Sequence, residues 1–253
     1  MGDTVDILVP SWKSLPWLRL QWNSIRRFPL KVPINYIVWD NEPSPASERW
    51  IRDQGFLSRS STPPKSHPAS LEELVKISSS PILAFMDADC IPIKEGWLDE
   101  AVSLVKVPYV GAVGLFSEHG NKKYRPFVHP SFCVFRREVY EDLRLSVHPL
   151  GLPDGTYFDV CSLMSSVLEH RGFQLKKLGD AFTGTENLSQ RVFHFWGSSK
   201  GTVGMKESQE PDRKRVMKRQ LDCLSDLGFL GEFVGIVREC LPDNPLLAGY
   251  LGE

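Results

Sequence analysis

Apolar positions along the chain follow two rhythms. Short continuous runs occur at 5–9 (VDILV), 34–39 (INYIVW), 82–86 (ILAFM), 109–116 (YVGAVGLF) and 131–135 (SFCVF). Their length and their Pro, Gly, Asp or Ser boundaries predict buried strands. Between them the spacing turns helical, as in Leu18, Trp22 and Ile25, in Trp97, Ala101, Val102 and Val105, and in Val160, Leu163, Met164, Val167 and Leu168. Helix starts are signalled by Ser14 with Pro16, by Ser44-Pro45 with Gly55 as the stop, and by Ser70 with Glu73 at capping-box spacing. Further helices are expected over 96–106, 136–143 and 159–171, the last stopped by Gly172. Residues 58–68, 117–128 and 148–156 are polar or turn-rich and predict loops, and 174–178 predicts a short strand. An aromatic run at 192–196 opens into a Gly/Ser loop at 197–202, and two helices, 212–227 and 230–241, close the chain as a lid or a packing appendage. The early β-α-β-α alternation is that of an α/β protein with a mostly parallel central sheet flanked by helices.

Composition narrows the class. A chain of 253 residues, 42% hydrophobic and 24% charged, is long enough for one α/β domain with a small appendage. A main domain is expected over 1–204, divided near residue 116, with 205–253 as helices packed on the same domain. The net charge of −1 provides no overall field for nucleic acid or an acidic membrane. The five cysteines are scattered without CxxC spacing, and no apolar run approaches the ~18 residues of a membrane span. These features predict a cytoplasmic protein with reduced thiols and no transmembrane segment. They leave the oligomeric state open.

The candidate chemistry centres on the run 82–86, which ends in Asp87-Ala88-Asp89. If the extended geometry lasts past Met86, alternation along the strand points Asp87 and Asp89 the same way. Two acids at the mouth of a buried strand repel each other and are costly to desolvate, and a divalent cation relieves both problems. Oxygen ligands suit Mg²⁺ or Mn²⁺. The bland alternative is a strand-end turn with solvated acids.

The ordered motifs resemble the GT-A fold of nucleotide-sugar glycosyltransferases, the family-2-like group in particular. VDILVPSW at 5–12 is similar to the opening strand VxVVxPxYN, and IVWDN at 37–41 to the second strand with its terminal acid. FMDAD at 85–89 resembles the DxD motif, FCVFRREVY at 132–140 the strand before RREAF, and YFD at 157–159 with RGF at 171–173 the acceptor-side helix. The resemblance covers roughly residues 5–200 and implies a nucleotide-sugar half to about 116 and an acceptor half over about 117–204. It departs from the pattern at Phe158-Asp159, where Glu-Asp is usual, and in lacking QxxRW.

That resemblance implies a metal-dependent transfer of a sugar from a nucleoside diphosphate, UDP first, to an acceptor hydroxyl with inversion. The implied metal ligands are Asp87, Asp89 and a C-terminal His194, the imidazole tilting the choice toward Mn²⁺. Asp87 is also a donor contact, Pro10 and Trp12 wall the base pocket, and Asp40 meets the base or ribose. Lys200 and Arg191, with the 197–202 loop, grip the diphosphate. Asp159 is the implied base, competing with a plain N-cap role and with Asp154. His67, His119, His129, His148 and His170 carry no assignment. The acceptor could be a glycan, a small molecule or, given basic clusters at 122–125 and 213–219, a hydroxymethylated base in DNA. A non-catalytic nucleotide-sugar or glycan-binding module is the alternative of another class. A haloacid-dehalogenase-type phosphatase would place its DxD near the N-terminus, and a sugar nucleotidyltransferase would carry a Gly-rich N-terminal loop.

Overall fold

The computed structural model describes residues 4–117, 126–153, 155, 157–182, 190–195 and 210–240, without the side chains of 210–217. The first half runs β1 (Val5–Trp12), α1 (Leu15–Arg27), β2 (Ile34–Asn41), α2 (Pro45–Asp53), β3 (Leu57–Ser61), α3 (His67–Ile77), β4 (Ile82–Met86) and β5 (Cys90–Pro92). It continues through α4 (Asp99–Val105), β6 (Val110–Ser117), β7 (Phe127–Arg136), α5 (Arg137–Asp142), β8 (Leu150–Gly151) and β9 (Tyr157–Phe158). The chain then forms α6 (Ser162–His170), β10 (Gln174–Asp180), β11 (Val192–His194), α7 (Glu210–Asp226) and α8 (Leu230–Cys240).

Seven strands form one sheet in the order β10-β6-β7-β4-β1-β2-β3. Only β7 runs against its neighbours β4 and β6; the other pairings are parallel. The early strands are apolar on both faces because helices cover both. On one face Val5, Ile7 and Val9 pack with Trp17 and Leu18 of α1 and with Phe233 and Ile236 of α8. On the other, Leu8, Leu83 and Phe85 pack with Leu71 and Leu74 of α3 and Met164 and Leu168 of α6.

Three local expectations are corrected. Residues 57–61 (LSRSS), inside an expected loop, form an edge strand whose order comes from the β2 backbone rather than from burial. Helix α3 begins at His67, so Ser70 lies inside it; its hydroxyl donates to the Ser66 carbonyl and accepts from Asn41 Nδ2 at 2.9 Å. Helix α6 begins at Ser162, leaving Asp159 just outside it. Cys161, just before the helix, holds φ +63°, a left-handed backbone uncommon for any residue other than glycine. At α2 the capping box forms with a serine in both roles, Ser44 and Ser47.

The closing helices brace α1. Trp17 lies 4.4 Å from the Phe233 ring and 5.2 Å from that of Phe195. Arg27 and Asn23 both reach Glu232, at 2.5 and 2.9 Å, and Arg19 reaches Glu239 at 2.6 Å. No helix among the described residues is long and apolar enough to cross a membrane.

The foot of the sheet is tied by one buried carboxylate. Asp6 accepts from Asn35 Nδ2 at 2.7 Å, from the Ser79 and Ser80 amides at 2.7 and 2.9 Å, and from Ser80 Oγ at 2.6 Å. It thereby joins β1, β2 and the turn entering β4, the strands that carry the candidate site. Burial alone would raise its pKa, but bonds from Ser80, Asn35 and Ser79 outweigh it and hold the carboxyl below the usual range. Asp6→Ala strands those donors, an expected loss of about 2–4 kcal/mol in urea unfolding at pH 7. Because the folded carboxyl stays ionised where the unfolded one is already protonated, that contribution exists above about pH 4 and drains away below it. The gap between the variant and the wild type should therefore narrow in acid.

Candidate metal centre

The turn after β4 is fixed from three sides. The Asp87 amide donates to the Ser131 carbonyl at 3.0 Å, and the Cys90 amide donates to the Asp87 carbonyl at 2.9 Å. Gln21, fully buried on α1, donates from Nε2 to the carbonyls of Asp87 (2.8 Å) and Cys90 (2.6 Å), while Tyr36 donates its hydroxyl to Gln21 Oε1. Ser24, one turn along α1, donates to the Pro92 carbonyl. The segment β5 that follows pairs antiparallel with β11, setting His194 opposite Cys90, and Phe195 N–H bonds the Asp89 carbonyl at 3.0 Å.

This pairing brings together residues far apart in the chain. One ligand atom each from Asp87, Asp89 and His194 lies within 4.8 Å of the others. His194 Nε2 stands 3.4 Å from Asp89 Oδ1 and 3.7 Å from Asp87 Oδ2. Nδ1 of His194 lies 2.9 Å from the Ala181 carbonyl, which can only accept, so Nδ1 carries a proton, and in its neutral form the ring turns its Nε2 lone pair toward the acids. Asp89 and His194 are buried, and Asp87 is nearly so. The gaps exceed the ~2.7–2.9 Å of a charge-assisted hydrogen bond. Two carboxylates and an imidazole nitrogen with its other nitrogen anchored form a donor set that fits Mn²⁺ or Mg²⁺.

Two histidines with no assignment from the sequence also belong here. His67 Nε2 lies 2.8 Å from Asp87 Oδ1. The His129 ring stands 5.6 Å from that of His194 and 5.0 Å from Phe182, and its Nδ1 accepts from the Ser131 amide. Burial would lower the pKa of His194, but Asp89 and Asp87 raise it; burial is likewise outweighed by Asp87 at His67. At His129 burial, reinforced by His194, wins and pushes the value down to about 3. Burial would raise Asp87, yet His67, His194 and His129 hold it well below the usual carboxylate range.

A second cluster lies at the ends of β1 and β2. Ser11 pairs with Asp40 across the ladder, and both Ser11 Oγ and Asp40 Oδ2 are buried with no hydrogen-bond partner among the described residues. Burial, with Glu48 adding to it against a bond from Ser47, raises the Asp40 carboxyl to about 6. Pro10 is buried, whereas Trp12 is exposed and donates from Nε1 to Glu42 Oε2 at 2.8 Å, with Lys13 5.6 Å from its ring centroid. Asp159 is exposed; its Oδ1 accepts from Val160 N–H at 2.8 Å. Burial first, then Cys133, Asp87 and Asp159, push the Cys161 thiol well above its ordinary range. Arg191 is engaged elsewhere, by Glu100 Oε2 at 2.8 Å and the Glu95 carbonyl at 2.5 Å. Lys200 and the rest of the 197–202 loop, Asp154, His119, the 122–125 cluster and the side chains of 213–217 lie outside the described residues.

No protein-family model matches the sequence, and no curated protein matches it. Solved structures do. The mannosyltransferase PcManGT from Pyrobaculum calidifontis, in complex with GDP-Man and Mn²⁺, is 16% identical over 99% of this chain and 80% of its own, with a TM-score of 0.56. Glucosyl-3-phosphoglycerate synthase from Mycobacterium tuberculosis, with Mn²⁺, UDP and phosphoglyceric acid, is 14% identical over 90% and 79%, with a TM-score of 0.54. TarS 1–349 from S. aureus, with UDP-GlcNAc, is 11% identical over 93% and 73%, with a TM-score of 0.52. The chain thus has the GT-A fold: a seven-stranded, mostly parallel sheet flanked by helices.

The unpartnered Oδ2 of Asp40 generates a prediction. Between about pH 4 and 6 the native state keeps a proton on Asp40 that the unfolded chain has released, so stability falls as pH rises through that window. Asp40→Asn removes a buried charge and should raise stability at pH 7.5 by on the order of 2–3 kcal/mol. The gain should vanish near pH 4 in thermal or urea unfolding. An Asp40→Asn protein no more stable than the wild type at pH 7.5 would mean that the carboxylate is already compensated.

Proposed function

We propose that the chain is a metal-dependent glycosyltransferase that moves a sugar from a nucleoside diphosphate, UDP in the first instance, to an acceptor hydroxyl with inversion. The observation that carries this reading is the convergence of Asp87, Asp89 and His194 at the strand ends of a GT-A fold. Solved proteins of that fold are described with Mn²⁺ and with GDP-Man or UDP.

In this reading Asp87, Asp89 and His194 hold the cation, whose chemistry is to offset the negative charge of the departing diphosphate. The Ala181 carbonyl keeps the His194 tautomer that presents Nε2. Asp40 Oδ2 and Ser11 Oγ, buried and unpartnered, take hydrogen bonds from the nucleoside, and Pro10 and Trp12 form the wall beside it. Lys200 supplies a cation to the diphosphate. Asp159 is the base: with Oδ1 engaged by Val160, Oδ2 is the oxygen that takes the acceptor proton. Attack then comes from the face opposite the leaving group, which gives inversion. The acceptor is a hydroxyl of a glycan or small metabolite.

Loss of a charge-stabilising group of this kind commonly costs ~10²–10³ in rate. Asp89→Ala should therefore lose at least that much sugar transfer from the UDP-sugar that wild type uses with Mn²⁺, while keeping its unfolding midpoint without metal. Excess EDTA should abolish transfer by the wild type. UDP or GDP together with Mn²⁺ should raise the wild-type midpoint more than either alone, and the synergy should be absent in Asp89→Ala. Undiminished transfer in Asp89→Ala or in EDTA would falsify the reading.

A further inference from the structure

We propose that His67 is a positioning residue for the metal centre, one that ties down one oxygen of Asp87 so that only the other faces the cation. The inference rests on the cation reading of the Asp87–Asp89–His194 cluster and assigns the part played by a residue outside it.

The main chain of Asp87 is already immobilised by Ser131, Cys90 and Gln21. What the backbone leaves undecided is the rotation of the carboxylate, which has two equivalent oxygens and a broad terminal torsion. His67 decides it. Its Nε2 lies 2.8 Å from Oδ1, a short charge-assisted contact, while Oδ2 is left 3.7 Å from His194 Nε2. With Nε2 occupied in this way, His67 is not itself one of the clustered ligands, which are Asp87, Asp89 and His194.

The arm that holds His67 is stiff. Pro68 follows it in the first turn of α3, Leu71 and Leu74 bury the helix against the sheet, and Ser70 is bonded by Asn41 at the end of β2. The His67 ring is an arm reaching from α3 across to the end of β4, with its side chain 39% exposed. A buried carboxylate that is ready to bind before the cation arrives loses less freedom on binding, and outer contacts of this kind typically alter metal affinity 10–100-fold.

The test is a Mn²⁺ titration of the full chain without nucleotide, followed by the electron paramagnetic resonance signal of the free ion. His67→Ala should weaken Mn²⁺ binding 10–100-fold in a chain that still folds and unfolds cooperatively without metal. His67→Gln, whose amide nitrogen reaches a similar point and donates without charge, should bind close to the wild-type value. Equal Mn²⁺ affinity in His67→Ala and wild type overturns the positioning role alone. So does a His67→Gln protein as weak as His67→Ala, because a neutral donor at that reach should hold Oδ1. A wild-type chain that takes up no Mn²⁺ overturns the cation reading, and the role of His67 with it.

Discussion

Three acceptor groups facing one another in a nearly dry corner of the sheet set the terms for the rest of the molecule. Asp87 and Asp89 repel each other, and the His194 tautomer fixed by the Ala181 carbonyl turns a lone pair toward both. In a low-dielectric setting such an arrangement is costly unless positive charge enters it. A proton on His194 can supply that charge, which is why its pKa rises despite burial. A divalent cation supplies more and leaves the imidazole neutral to act as a ligand. The same corner that is uncomfortable when empty is thereby selective for a cation and, through it, for a diphosphate.

The scaffold around this corner consists largely of devices that resist the repulsion. The turn bearing the acids is held through its carbonyls by Gln21 and through its amide by the antiparallel strand β7. His194 arrives on β11, a short strand docked on β5 immediately after the second acid. The helix that presents Gln21 also carries Trp17, which packs between Phe195 and Phe233, so α8 supports the metal corner from behind. The closing helices are therefore coupled to the site through α1, with Arg27–Glu232 and Arg19–Glu239 as the outer contacts.

What the sequence revealed follows what local pattern can encode. The runs at 5–9, 34–39 and 82–86 were legible because strands covered on both faces must be continuously apolar. The acids at 87 and 89 stand out in the sequence because they end an apolar run, whereas His194, inside the run VFHFW, entered the candidate site only through the resemblance. The edge strand 57–61 was hidden, since LSRSS has no apolar face and owes its order to its neighbour. Nothing local marks β7 as the one strand that runs against its neighbours. His67 sits in an ordinary polar stretch and His129 between Val128 and Pro130, and their relation to Asp87 exists only after α3 docks and β7 pairs with β4. Gln21 did leave a readable signal: a polar residue three positions after Leu18, on the apolar stripe of α1. A polar side chain in that place is expected to hold something buried.

Anomalous diffraction from crystals grown with Mn²⁺ and UDP, collected at the manganese edge, tests the central claim most directly. The account predicts one strong peak enclosed by Asp89, His194 Nε2 and Asp87 Oδ2, with the diphosphate against it. An ordered nucleotide elsewhere, or no manganese peak between those three side chains at millimolar Mn²⁺, would contradict it.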